Sequence, residues 1–268
     1  MNTRSYSDIE LMEMSPNEFR SIVRQGQAMH TGRVCRGYTQ ANLVIVPKDA
    51  AFEFLLFCNR NPRPCPILDV MEPGNPNTSL LAPGADLRTD LGKYRVYQAG
   101  KLVDEPTNIK DYWQDDLVSF LLGCKCSLDW LMRAANVKFR SIGVFPTNIP
   151  CVPAGHFFGH VAVSCSFCKN THEAVRAIQI SSRCPAAHGA PIHIGDPSTI
   201  GIRDIYGFRS DFRTEPPPPK EADEIALYWG CGTTPQMVAI EAKIEFMITH
   251  YPGSMFVTDK PVEELVIL

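Results

Sequence analysis

Residues 43–46 (LVIV) form the apolar, β-branched run that fills a buried strand. Asp49 then caps an amphipathic stretch through Phe52, Phe54, Leu55 and Phe57 that stops at Asn61-Pro62, and residues 65–70 (CPILDV) read as a second buried strand. A strand, a helix and a strand at this spacing are the crossover that a parallel pair requires, since a two-residue turn serves only antiparallel neighbours. No other stretch constrains the chain as much. The fold expected from it is α/β, a mixed, largely parallel sheet flanked by helices.

The remaining elements follow from local chemistry. Ser15-Pro16-Asn17-Glu18 is a helix start with a capping box, and Gly26 is its expected stop. Residues 94–103 read as a hairpin turning at Ala99-Gly100. Residues 113–137 read as a core-forming pair of helices, interrupted at Gly123 and capped again at Ser127, with Trp113 and Trp130 as packing residues. Residues 147–155 are too rich in Pro and Gly for an element interior and read as a connector. A strand over 158–167, a helix over 171–182 and a strand entering at Pro191 suggest a smaller two-layer α+β subdomain, residues 145–197, inserted into a main α/β domain of residues 1–144 and 198–268. The proline tract 215–220 is an extended, exposed connection. Residues 225–229 form a strand, the turn Gly230-Cys231-Gly232-Thr233 leads into a helix capped by Thr234 and started by Pro235, and two more strands close the chain.

Composition limits the partners. The chain has 268 residues, 44% of them apolar, and a net charge of −3 without a Lys/Arg run, so neither nucleic acid nor an anionic membrane surface is implied. No apolar run approaches the roughly 20 residues that span a bilayer. The first residues lack the apolar segment of a secretory signal, and the cytoplasm is the expected compartment. Ten cysteines form no regular framework and read mostly as buried thiols. Cys165 and Cys168, with His172 four residues on, make half of a zinc site whose second half is missing. His156 and His160 have the i, i+4 spacing of helical ligands, but Gly155 and Gly159 argue against a helix there. No metal and no cofactor are expected.

Two regions carry chemistry-bearing residues. Residues 183–201 (RCPAAHGAPIHIGDPSTIG) hold His188, His193 and Asp196 among Gly and Pro: His193 ends a short strand, Gly195 breaks it, and Asp196-Pro197 starts a helix whose free N–H groups suit an anion. The same residues also make an ordinary strand-to-helix turn with a hydrogen-bonded structural histidine. In residues 81–90, Arg88 lies between Asp86 and Asp90. It is placed either to take a substrate carboxylate or simply to pair with its two neighbours, and residue types alone favour the pairing. The turn at Gly232-Thr233 is a second anion-receptive helix start, although it matches neither a dinucleotide fingerprint nor a phosphate loop.

Seven stretches in order, GYTQANLVIVP, FCNRNPRPCPILDV, LAPGADLRTDLGKYRVY, TNIPCVPAGHFFGHVAVS, HGAPIHIGDP, WGCGTTPQ and ITHYPGSMFVTD, make the sequence similar to the hydro-lyase family related to D-glutamate cyclase. Asn59 stands where that family usually has Gln, and His160 where it usually has Pro. The resemblance implies a carbon–oxygen lyase that eliminates water from a small carboxylate or acidic amino acid, with closure of D-glutamate to 5-oxo-D-proline as the model reaction. On that reading His193 is the expected acid or base, His188 its partner and Asp196 its orienting group. Asp86 and Asp90 are alternates for proton transfer, and Arg88, Gly232, Thr233, Thr39 and Gln40 hold the substrate. A homo-oligomer is expected. The competing expectation is a non-catalytic small-carboxylate-binding or regulatory protein built on the same turns.

Overall fold

A computed structural model describes residues 5–207 and 216–267, so Met1 to Arg4 and Glu215, at the head of the proline tract, lie outside the described residues. Helices α1 (Asp8–Glu13) and α2 (Pro16–Val23) lead into strand β1 (Tyr38–Pro47), helix α3 (Lys48–Arg60) and strand β2 (Ile67–Val70). Two short strands, β3 (Asn77–Thr78) and β4 (Ala85–Asp86), precede the hairpin β5 (Tyr94–Gln98) and β6 (Lys101–Asp104). Then come β7 (Leu117–Gly123), α4 (Lys125–Ala134), β8 (Phe139–Pro150), β9 (His160–Cys168), α5 (Thr171–Ser182), β10 (His193–Ile194), β11 (Ile225–Gly230), α6 (Thr234–Glu241), β12 (Phe246–His250) and β13 (Phe256–Pro261).

The fold is mixed α/β, but its sheets are antiparallel, which corrects the largely parallel sheet expected from the β1–α3–β2 crossover. The larger sheet runs β2-β7-β1-β12-β5-β6, with β13 also paired to β1, and the second runs β10-β11-β9-β8. Each named pairing is antiparallel. The crossover itself exists. Because β1 and β2 both pair with β7 in the antiparallel sense, they point the same way, with β7 between them. Residues 117–123, expected to be helical, supply that interposed strand. All seven are buried, so neither face shows the polar alternation that marks a strand. Ser127 does lie at the start of the helix that follows, but Cys124 is its cap residue. Residues 147–150, expected in a connector, are the end of the long strand β8, and β11 joins the second sheet from beyond residue 197.

β1 is buried on both faces and organises two cores. Val44 and Val46 meet Phe54 and Phe57 of α3, Phe120 and Leu122 of β7, Val161, Val163 and Phe167 of β9, and Val238 of α6. Leu43 and Ile45 pack on the opposite face with Leu87, Leu91, Tyr94, Ile248 and Phe256. The second sheet is covered on its far side by α4 and α5 around Leu227 and Trp229. The capping box at Ser15 forms as expected, with the Ser15 side chain accepting from the Glu18 N–H while Glu18 accepts from the Ser15 N–H. Among the described residues no helix is long and apolar enough to cross a membrane.

Candidate functional site

Where β1, β7 and β12 of the first sheet approach β9 and β11 of the second, close backbone contacts gather several chain turns around one cavity. Gly123 ends β7 so near the 185–187 turn that a Cβ on it would meet the Ala186 carbonyl oxygen, and a Cβ on Gly232 would meet the Asn42 amide. Asn42 donates to the Gly123 carbonyl at 2.6 Å. These contacts bring the starts of α4 and α6 to the same place. The cavity has a volume of about 960 Å³; its inner wall includes Asn42, Cys124, Lys125, Ser164, His188, Gly232, Thr233 and His250.

The two histidines are alike in setting. His188 is fully buried, adopts a left-handed φ of 78° after the 185–187 turn, and its Nδ1 lies 2.7 Å from the Arg63 carbonyl oxygen. His250 is 1% exposed and its Nδ1 lies 3.4 Å from the Leu43 carbonyl oxygen. A carbonyl can only accept, so each Nδ1 carries the proton and each Nε2 is left with a lone pair. Among the described residues neither Nε2 has a partner. Burial pulls His188 down to about 4, against the raising effect of the Arg63 carbonyl, and the Lys125 charge lowers it further. Burial likewise pulls His250 down to about 4, with Arg95 adding to it. Both imidazoles are therefore neutral near pH 7, and each keeps a bare, buried nitrogen where ordinary buried polar atoms are paired.

The surroundings are polar but committed. The Lys125 ammonium donates to Asp129 at 2.5 Å and to Ser166 at 3.0 Å, and it sits 4.8 Å from the centre of the Trp229 ring. Gln236 of α6 and Thr249 both donate to the His250 carbonyl, which fixes the end of β12. Two of the thiols here are poor nucleophiles: burial pushes Cys165 up to about 12, and the Cys124 side chain together with burial raises Cys126. Among the described residues no cluster of three or more His, Cys, Asp or Glu side chains is placed to hold a metal ion.

Of the candidate catalytic and substrate-binding residues named from the sequence, the structure brings His188, Gly232 and Thr233 to the cavity, and the others are not in its lining. His193 sits on β10, where its Nε2 lies 2.8 Å from the Asp196 carbonyl oxygen and 3.2 Å from the Thr199 hydroxyl. Asp196 caps the turn Pro197–Ile200 by accepting from the Ser198 N–H. Arg88 makes a two-point pair with Asp86, at 2.9 Å from each carboxylate oxygen, which is the local pairing weighed above. Asp90 is fully buried and accepts from Arg24 and from the Asp86 N–H. Thr39 binds the Pro261 carbonyl, and Gln40 donates to the Thr31 carbonyl while its backbone ties β1 to Ser127. Neither Arg88 nor His193 lines this cavity. His250, Asn42 and Lys125 were not singled out in the sequence. His250 ends a strand just before a Pro-Gly turn, the same kind of signal that drew attention to His193.

The family described as D-glutamate cyclase matches residues 118–259. A Geobacillus kaustophilus protein named "Putative hydro-lyase" is 50% identical over 262 residues, covering 95% of this chain and 98% of its own. YcsI of Bacillus subtilis, which bears the same description, is 45% identical over 95% of this chain and all of its own. A solved nitrogen repressor-like protein of Methanococcus jannaschii reaches a TM-score of only 0.38 at 7% identity, covering 87% of this chain and 91% of that one, a likeness too slight to transfer fold or function.

Proposed function

Since the chain belongs to the D-glutamate cyclase family, with proteins named "Putative hydro-lyase" as relatives, we propose that its cavity eliminates water from a small carboxylate or acidic amino acid, with D-glutamate closing to 5-oxo-D-proline as the leading case. The observation that carries this reading is the pair of buried, neutral imidazoles whose Nε2 atoms have no partner among the described residues.

The proton count fits. In the cyclisation the amine nitrogen forms a bond to the γ-carboxyl carbon as the C–O bond to the departing oxygen breaks. Two protons leave the ammonium group and two are needed to release that oxygen as water. Two imidazoles can carry one each. Loss of water from a hydroxy acid moves one proton from carbon to the leaving hydroxyl, for which a single imidazole suffices. A bound carboxylate raises the proton affinity of both rings by its opposite charge, and a ring protonated in a dry pocket readily gives its proton up again. The helix starts at Cys124 and Thr233 provide N–H dipoles for the carboxylate that does not react.

His188→Asn and His250→Asn test this reading. Asn retains an N–H able to reach the carbonyl that Nδ1 serves, lacks Nε2, and tolerates the left-handed backbone at position 188. Turnover of D-glutamate and of a panel of hydroxy acids, followed by NMR, is expected to fall by about 10² or more in each variant with thermal unfolding little changed. Unchanged turnover in both folded variants removes the imidazoles from the mechanism. Thermal stabilisation of the wild type by D-glutamate without conversion of any substrate in the panel supports a carboxylate-binding protein instead.

A further inference from the structure

The cavity is too large and too long for a five-carbon acid alone, and one helix measures its length. Lys125, Cys126, Asp129, Trp130 and Arg133 of α4 all line it, a stripe of one helix face at i, i+1, i+4, i+5 and i+8. Burial falls along the stripe: Lys125 is buried, Cys126, Asp129 and Trp130 are half-buried, and Arg133 is exposed. The stripe therefore runs from the blind end, where Lys125 bears electrostatically on His188, to the mouth. Eight residues of helix rise about 12 Å. A five-carbon diacid, with four C–C bonds of about 1.5 Å, reaches at most about 6 Å. A volume near 960 Å³ also falls at the upper end of the roughly 300–1,000 Å³ typical of sites for drug-sized ligands.

The mouth has a chemistry of its own. The Arg133 guanidinium lies 4.8 Å from the centre of the Phe139 ring and has no carboxylate or carbonyl partner among the described residues. By contrast, Arg140, also at the cavity, is consumed by Glu224 and by the Pro218 and Pro219 carbonyls. Between mouth and blind end the wall is aromatic, formed by Trp130 and Phe139, and the Trp130 indole N–H has no partner among the described residues.

We infer that the cavity accepts an elongated dianion, with one carboxylate at the histidine end, an apolar or aromatic middle along Trp130 and Phe139, and a second anionic group at Arg133. The orientation rests on the reading of the histidines given above, whereas the second anionic subsite is read from α4 itself. The probes are straight-chain α,ω-diacids of five, eight and ten carbons and the monoacids of the same lengths, with binding to the full chain measured by calorimetry at pH 7. The eight- and ten-carbon diacids are expected to bind about fivefold tighter than their monoacids, the most that a solvent-exposed ion pair supplies, while the five-carbon pair shows no such gap. Arg133→Gln is expected to abolish the gap and leave monoacid binding unchanged. Equal affinities of diacid and monoacid at every length, or a gap that survives in Arg133→Gln, overturns the proposal. The readout is binding, so an inactive histidine variant bears on the reaction and leaves the subsite standing, and the converse also holds.

Discussion

Acid should loosen this protein at a pH where most proteins of its size are comfortable, and the two cavity histidines set the size of the effect. Each has an ordinary value of 6.5 and is held near 4 in the folded chain. A group whose folded value is depressed binds its proton more readily when unfolded, so stability falls as pH drops from 6.5 towards 4 and falls no further below that. At pH 5 the linkage relation gives a loss of about 2 kcal/mol per histidine relative to pH 7.5, hence about 4 kcal/mol for the pair. That is a large part of the 5–15 kcal/mol on which a domain usually stands. Carboxylates depressed by partners, such as Glu224 beside Arg140, contribute mainly below their ordinary 4.5 and add only a little by pH 5, to the wild type and the variants alike. His30, also lowered by burial, adds to the wild type and to the variants alike. Urea unfolding at pH 7.5, 6.5, 5.5 and 5.0 measures the slope directly, and His188→Asn and His250→Asn should each lose only about half as much between pH 7.5 and 5.0. A wild-type loss below about 1 kcal/mol, or the same loss in the variants as in the wild type, refutes the neutral buried imidazoles from which the proposed chemistry starts.

Other outcomes follow from the same coordinates. The acid limb of kcat/KM for the free protein should lie near pH 4 and not near 6.5, and a limb at 6.5 would show that the working base is exposed. Gly123→Ala should cost about 3 kcal/mol or more, read as a fall in the urea midpoint, since its Cβ would stand 1.7 Å from the Ala186 carbonyl oxygen. Arg88→Gln and His193→Asn should leave turnover within about twofold of wild type and stability within about 1 kcal/mol, because the groups they remove are surface partners away from the cavity. A large loss of turnover in either would return residues 81–90 or 183–201 to the chemistry.

What the sequence disclosed depended on how local its cause was. The Ser15 capping box, the Ala99-Gly100 hairpin, the helix over 171–182 and the last strands are each set by residues within one turn of one another, and each forms as read. The sense of the sheet was not legible, because it depends on which strand lies beside β1. That strand, residues 117–123, is apolar on both faces and so carries neither a two-residue nor a 3.6-residue period. The site behaved likewise. His188, Gly232 and Thr233 stood out through unusual Gly-rich turns, whereas His250 and Asn42 reach the cavity only because distant backbones close on them. The pairing of Arg88 with Asp86, two residues away, is the local one that residue types favour, whereas the claim of Arg24 on Asp90 joins positions 66 apart and leaves no local trace.

The position of β1 has a consequence for how the chain is made. It is synthesised well before β12 and β13, which alone complete one of its edges. Until they follow, that edge presents unpaired amides flanked by Leu43, Val44, Ile45 and Val46, a template for mispairing with other nascent chains. Premature termination before residue 246 leaves it open permanently, so truncated products should partition into inclusion bodies or onto chaperones, while synthesis through β13 seals it.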